Sequence, residues 1–439
     1  MGVLKRILGG DSTLLLAAVA IILSSVWLLD HAIMSVDGGV NHTFAYRQIV
    51  FAVIGLGIAF GVSRVPVQWW QQWWPHALGI AIGGVVAVRF VGTVVNGSRR
   101  WLDVGPVSLQ PSEFGKVLAL IAVAGFLASR AREIRTPRVF VLTLGMVAIP
   151  AVLVFVQPDF GTAQVYGYLA LGMLFFAGAR WVHFAMLGGV VVAVAVLVLG
   201  LLPAVGLEVL HDYQIKRLTG FLDPEADAQG TNYQTIQAKI AIGSGQLAGR
   251  PGDEASQVQQ GFLPEPQTDF IFATLVERTG FVGGAFVLGL YVLLLSRILA
   301  AAGAASSYYG RLIAGGVAML FFAQVCVNVG MVVGVLPVTG VPLPMFSYGG
   351  SSLWTNMAAL GLVAAVLREG QQAGARYQRR TGRPVGGFGS LRATSGERAG
   401  AAVVGIPRTP LTGGTTTRSR LSRATGRGTR SGSRRRPSR

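Results

Sequence analysis

One carboxylate in this chain has an unusual setting. Asp269 lies in GFLPEPQTDFIFATLVERTG (261–280), where a polar stretch with two prolines gives way to an apolar one. Pro264 and Pro266 end whatever precedes them, Thr268 is a candidate helix cap, and the apolar run starts at Phe270. A carboxylate at such a boundary can meet a molecule whose head is polar and whose tail is lipid. There it could take a proton from an attacking hydroxyl, or serve as an oxygen ligand to a divalent cation such as Mg or Mn. A plain capping acid would favour the same place, because the helix dipole stabilises negative charge in a first turn and keeps the group weakly basic. Partial burial would work the other way and raise its pKa.

Charges in or beside apolar runs are costly and usually functional. Besides Asp269 they are Arg100, Glu113, Lys116, Asp159, Lys239 and Glu277, and a long polar loop adds Lys216, Arg217 and Arg250. Cations grouped near one acid suit a phosphorylated, lipid-linked substrate: the cations would hold a pyrophosphate, helped by helix N-termini facing the same pocket. Glu113 and Lys116, three residues apart, could equally pair with each other at a helix start. The chain has no histidine cluster, HExxH, Ser-His-Asp arrangement or P-loop. Nucleotide hydrolysis and metalloprotease chemistry are therefore not expected, nor is a nucleotide or organic cofactor.

The elements that must position these residues are apolar. Of 439 residues 52% are hydrophobic and only 13% charged, against about 25% charged in soluble proteins. Roughly ten runs approach or exceed the length of about 18 residues that reads as a transmembrane helix: 13–34, 47–63, 76–95, 113–130, 138–156, 162–178, 183–203, 269–298, 311–335 and 348–367. The expected fold is an all-α polytopic membrane protein. The first run lacks an A-x-A-like cleavage site and reads as an anchor. Basic residues place both termini on the cytoplasmic side, with Lys5, Arg6, Arg64, the four arginines of 130–138, Arg180 and the 297–311 connection. The outer side then receives Arg100, Glu113, Lys116, Asp159 and Asp269, together with one large loop at about 204–268, in which YQTIQAKIAI (233–242) is helix-like. Glu277 falls about two turns deeper.

Two outer turns resemble each other, LQPSEFGK (109–116) and VQPDFGTA (156–163). Each sets Gln-Pro, an acid and Phe-Gly at a helix start. They read either as a repeated helix-start device or as two walls of one outward cavity. WWQQWW (69–74) fits an interfacial aromatic belt. The single cysteine, Cys326, lies inside an apolar run and reads as core packing. From Arg368 onward about seventeen arginines and two glutamates carry about +15 of the net +18. The expected division is therefore a membrane domain over 1–368 and a disordered arginine-rich tail over 369–439, resting on anionic lipid rather than nucleic acid.

Five outer motifs, in order, carry a family resemblance: NGSRRWLDVGPVSLQPSEFGK (96–116), QPDFGTA (157–163), YQTIQAKIAIGSG (233–245), FLPEPQTDFIFATLVERTGFVGG (262–284) and LPVTGVPLPMFSYGGSS (336–352). They resemble the SEDS family, which contains the cell-shape protein RodA and the division protein FtsW, and the likeness covers nearly all of 10–368. The resemblance implies a ten-helix bundle in the bacterial cytoplasmic membrane that polymerises lipid II into β-1,4 glycan strands on its outer face. It makes Asp269 the essential acid, activating the 4-hydroxyl of an acceptor GlcNAc against a lipid-pyrophosphate donor. Arg100, Lys116, Arg217 and Lys239 then become candidate pyrophosphate partners, with Glu113 beside them as a substrate contact. It also implies a class B penicillin-binding transpeptidase as partner, with other membrane proteins of the elongation complex. Two departures stand out. Gln267 replaces the family's usual histidine, and ERTG (277–280) replaces its EELG. IAIGSG (240–245) and PVTG (337–340) are more RodA-like than FtsW-like, pointing to elongation and cell shape. Two rival readings use the same bundle: a lipid II flippase, which would bind near the midplane on broken helices, and a non-catalytic scaffold for the transpeptidase, which would need no acid at 269.

Overall fold

The structure, a computed structural model, describes residues 11–32, 42–95, 98–105, 107–204, 233–250, 255–263 and 265–381. Arg217, most of the long outer loop and the tail beyond Thr381 lie outside the described residues. The chain forms α1 (Ser12–Ala32), α2 (His42–Arg64), the short α3 (Val67–Gln72) and α4 (Trp74–Val91). The strands β1 (Thr93–Val95), β2 (Ser98–Val104) and β3 (Val107–Leu109) follow. Then come α5 (Pro111–Ser129), α6 (Pro137–Val156), α7 (Phe160–Ala177), α8 (Trp181–Val196), α9 (Tyr233–Gly245), α10 (Ile271–Ala304), α11 (Tyr308–Val332) and α12 (Gly350–Thr381). Ten of these helices are long and apolar enough to cross a membrane, and they fall on the ten apolar runs.

Local chemistry sets the helix starts. Pro111 opens α5 at a position whose N–H would be unpaired in any case, and Glu113 complements the dipole in the same first turn. Asp159 caps α7, its Oδ1 accepting from the Thr162 N–H at 3.1 Å, and Ser307 caps α11 through Gly310. At the end of the bundle opposite Asp269, Arg297 donates from Nε and Nη2 to Asp11 Oδ2 at 2.9 and 2.6 Å. Asp11 Oδ1 meanwhile caps α1, so one carboxylate starts α1 and fastens it to α10.

The bundle has a centre and a periphery. The apolar window of α12 is 89% buried, whereas that of α8 is 0% buried and α8 stands at the edge. Helix α12 packs on α2, α5 on α4, and α10 on both α1 and α11. Trp69 and Trp73 are exposed and stacked on each other. Cys326 is exposed on the outer surface of α11, which corrects its reading as a core residue: position along an apolar run does not say which face a side chain takes.

Two further expectations are revised. A three-stranded antiparallel sheet, β1-β2-β3, follows α4, and its first strand takes the end of the 76–95 run that was expected as helix. Its strands pair Val94 with Arg99 and Leu102 with Leu109. The boundary at 368 also moves, because α12 continues as helix to Thr381 and carries Arg376, Arg379 and Arg380 beyond the apolar span.

Helix α10 is not one rod. Gly280 has φ +68 and breaks it into 271–279 and 281–304. Residues 246–249 enter the break: Phe281 and Val282 donate to the Gln246 and Leu247 carbonyls at 2.8 and 3.2 Å. A Cβ at Gly280 would collide with the Leu247 carbonyl and the Gly249 nitrogen. Both the positive φ and this approach demand glycine. Gly280→Ala is expected to destabilise the protein by on the order of 3 kcal/mol, read as a lowered thermal unfolding midpoint of the purified protein in detergent. An unchanged midpoint would mean that the break is not held by glycine.

Candidate active site

The sequence does more than put an acid before a helix at 269. Residues 265–270 form a tight turn, and α10 begins only at Ile271 with Phe270 as its cap. Asp269 therefore lies outside the first helical turn, and Thr268 does not cap: its hydroxyl donates to Glu265 Oε2 at 3.2 Å. This corrects the capping expectation. The turn is strained at Glu265, whose φ of +48 is left-handed for a residue with a side chain. Gln267 Nε2 also donates to Glu265 at 3.1 Å, and the Thr268 N–H to its carbonyl at 3.1 Å.

A second segment, 333–349, locks this turn from the other side. Asn328, fully buried on α11, donates from Nδ2 to the Asp269 carbonyl at 2.9 Å and to the Val341 carbonyl at 2.8 Å. Ser347 Oγ donates to the Thr268 carbonyl at 2.7 Å and accepts from the Leu343 N–H at 2.8 Å. The Tyr348 N–H reaches the Gln267 carbonyl at 2.9 Å. Three successive carbonyls, those of residues 267, 268 and 269, are thus held by one neighbouring segment and its helix. That segment is anchored in turn: Tyr291 donates to the Pro344 carbonyl at 2.6 Å, and Ser25 to that of Phe346. Asn328 and Ser347 were not read from the sequence. An amide inside AQVCVNVGMVV (323–333) was the available signal, since a polar group in an apolar span must find a partner.

The carboxylate of Asp269 faces Gly340, where a Cβ would lie 3.3 Å from Oδ2. The adjoining Thr339 carbonyl lies against Gly161, so closely that a Cβ there would collide with it. The start of α7 is thereby brought to the same place. Asp159, at that start, accepts from Gln110 Nε2 at 2.8 Å and faces Arg100 Nη1 at 3.9 Å. The two Gln-Pro turns are thus directly bonded, the glutamine of one to the acid of the other, which fits the reading of two walls of one site. Arg100 is delivered by β2, so the unexpected sheet is what carries this cation to Asp159. Burial pushes the Asp269 carboxyl up from 3.8 to about 6; Glu265 adds to the rise, Arg100 opposes it and Asp159 adds again.

The remaining candidates spread outward from this cluster. Glu113 and Lys116 form a buried ion pair at 2.7 Å one turn into α5 through Oε1, while Glu113 Oε2 is buried with no hydrogen-bond partner among the described residues. Lys239 on α9 is exposed and its Nζ crosses Gly334, at the base of the 333–349 segment. Arg217 lies outside the described residues. Glu277 is fully buried and accepts from the Gln257 N–H at 2.9 Å, tying the segment before the Asp269 turn to the helix after it. Among the described residues no three histidine, cysteine, aspartate or glutamate side chains come together as metal ligands. Asp269 could hold a divalent cation only by sharing it with oxygens of a substrate, as magnesium sites with one carboxylate and a phosphate do.

Comparison with known proteins gives this geometry relatives. The family of cell cycle proteins named for FtsW, RodA and SpoVE matches residues 11–372. The peptidoglycan glycosyltransferase MrdB of Escherichia coli K12 is 40% identical over 358 residues, covering 81% of this chain and 93% of that protein. A solved peptidoglycan synthase complex, described as coordinating polymerization and crosslinking, contains a chain with TM-score 0.68 and 32% identity, covering 82% of this chain and 98% of that one. The rod shape determining protein RodA of Thermus thermophilus gives TM-score 0.59 and 30% identity, with 82% and 97% covered.

Two outcomes follow from the turn and its carboxyl. Asn328→Ala removes two hydrogen bonds and leaves two carbonyls without this partner, for about 1–3 kcal/mol, and is expected to speed amide exchange at 267–270 more than elsewhere. Uniform exchange would show that the clamp is not local. Because the Asp269 carboxyl rises on folding, the folded state binds its proton more tightly. Stability from this group is full below about pH 4 and lost as pH climbs through about 6. Asp269→Asn should therefore flatten the decline of the unfolding midpoint between those values, and an identical decline in both proteins would contradict the assignment.

Proposed function

The chain belongs to the FtsW, RodA and SpoVE family of cell cycle proteins, and we propose from that membership that it is a peptidoglycan glycosyltransferase, polymerising lipid II with Asp269 as general base. The observation that carries the reading is the Asp269 carboxyl: fixed through its own carbonyl and those of its two neighbours, and brought by burial to a pKa of about 6. A base works best when its pKa is close to the working pH. Burial supplies that shift, and the interlocked turn supplies position.

In the reaction, the 4-hydroxyl of the acceptor GlcNAc gives its proton to Asp269 as its oxygen attacks the anomeric carbon of the donor. The new C–O bond forms on one face while the bond to the lipid pyrophosphate breaks on the other, so the linkage inverts to β-1,4. Arg100 is a cation that acts on the Asp269 carboxyl and faces Asp159, and it would hold charge on the departing pyrophosphate. Lys239 and Arg217 are further candidate partners for the same group. Lys116, paired with Glu113 inside α5, acts through the shape of that helix start unless substrate binding opens the pair. A divalent cation held by Asp269 and the pyrophosphate would neutralise charge on the leaving group.

The membrane setting is part of the same reading. The arginines of 130–138, Arg180 and Arg297 gather at the helix ends opposite Asp269, which supports both termini in the cytoplasm of a bacterial cell and Asp269 outside it. Likeness to RodA and MrdB supports a role in elongation and cell shape. The solved complex that couples polymerization with crosslinking supports a class B penicillin-binding transpeptidase as partner, among other membrane proteins of an elongation complex. The 369–439 tail would add contact with anionic lipid.

Glycan polymerisation from purified lipid II, alone and with the transpeptidase, with and without divalent cation, tests the reading. Asp269→Ala and Asp269→Asn are each expected to lower the rate by about a hundredfold or more while remaining folded. The wild-type rate should climb with pH to a plateau above about 6, since the base must be ionised. Equal polymer from all three proteins would remove Asp269 from the chemistry. A wild type without polymer under every condition would turn the reading to a flippase or a scaffold.

A further inference from the structure

The end of the bundle opposite Asp269 has a site of its own. Helix α12 starts at Gly350, beside the segment that locks the Asp269 turn, and reaches Arg368 eighteen residues later. At 1.5 Å per residue that is about 27 Å, close to the hydrocarbon thickness of about 30 Å, so Arg368 stands at the other membrane interface. There a cavity of about 310 Å³ opens between the end of α2, the start of α3, Ser306 after α10, and α12. Val65, Pro66 and Ala365 line its apolar side, and Arg368, Glu369 and Arg376 its polar side.

The charges around this cavity are unbalanced. Arg368 donates from Nη2 to the Arg64 carbonyl at 2.9 Å, and the Arg64 guanidinium itself lies over the Phe60 ring at 4.4 Å. No carboxylate pairs with Arg64, Arg368 or Arg376 among the described residues. The one acid, Glu369, is held away from them by Ser306, whose hydroxyl donates to Oε1 at 2.7 Å. Its Oε2 is buried and has no hydrogen-bond partner among the described residues. Neighbouring cations at a membrane interface call for an anion, and an unpaired buried carboxylate oxygen calls for a donor. A single ligand meets both needs if it has a phosphate at one point and a donor group a few atoms away.

We propose that this cavity binds the headgroup of a glycerophospholipid whose terminus donates hydrogen bonds, either an ethanolamine ammonium or a glycerol hydroxyl. Arg368 and Arg376 take the phosphate, Glu369 takes the terminal donor, and Val65, Pro66 and Ala365 meet the start of the acyl chains. The site is separate from the chemistry at Asp269 and does not depend on that reading. Phosphatidylcholine carries the same phosphate, but its quaternary ammonium has no hydrogen to donate, so it serves as the discriminating ligand.

The experiment uses the full chain, stripped of lipid in detergent and offered phosphatidylethanolamine, phosphatidylglycerol or phosphatidylcholine, with bound lipid counted by native mass spectrometry. The wild type is expected to retain the first two roughly tenfold better than the third, the scale of one charge-assisted hydrogen bond. Arg376→Gln, at an exposed position, should weaken all three by roughly tenfold. Glu369→Ala should erase the preference over phosphatidylcholine while leaving its retention unchanged. Equal retention of the three lipids by the wild type, or unchanged retention by Arg376→Gln, would overturn the proposal. Displacement of bound lipid by inorganic phosphate alone would overturn the assignment to a lipid.

Discussion

A backbone that leaves the helical state inside a membrane bundle must find every hydrogen bond within the protein, because hydrocarbon offers none. This constraint organises the reactive end of the molecule. The turn at 265–270 and the segment at 333–349 are both non-helical, and each satisfies carbonyls of the other or of its own return. Asn328 serves both with one amide group, and Ser347 does so with one hydroxyl. The position of Asp269 is therefore not a property of its own helix. It follows from two irregular segments solving one hydrogen-bonding problem together.

The same constraint explains why strain is tolerated there. Glu265 at φ +48 and Met345 at φ +61 lie one in each of the two interlocked segments. A left-handed residue with a side chain costs about 1–2 kcal/mol, and such a conformation persists only where its surroundings dictate it. Here the surroundings are a mesh of hydrogen bonds that runs from the exposed Glu265 to the buried Asn328 and Ser347. Gain in positional accuracy at Asp269 and loss of local backbone comfort are two sides of the same arrangement.

Much of this was legible in the sequence. Ten long apolar runs fix ten helices because length and hydropathy are strong signals, and the place of Asp269 just before one of them was legible in the same way. The sheet was not legible: β1 and β3 have three residues each, and Thr93–Val95 reads as the end of an apolar helix. Asn96-Gly97, a hairpin dipeptide directly after the β-branched Thr93–Val95, was the signal that could have revealed it. The capping state of Asp269 was missed because two prolines mark where a helix cannot be, without saying how many residues the turn consumes before the helix starts. Cys326 was misplaced because a helix in lipid can be apolar all round. Its inward face is then chosen by packing, which periodicity does not report.

The break at Gly280 has a mechanical meaning. Residues 271–279 make a rod about 13 Å long at 1.5 Å per residue, attached at one end to the Asp269 turn and at the other to the chain that fills the break. The longer piece, 281–304, is seated against α1 and α11 by its own side chains. Ile271 to Glu277 are all buried, so the nine-residue rod is keyed into the bundle on an axis of its own. The 246–249 chain is a wedge between two rods, and the glycine is the slot that admits it.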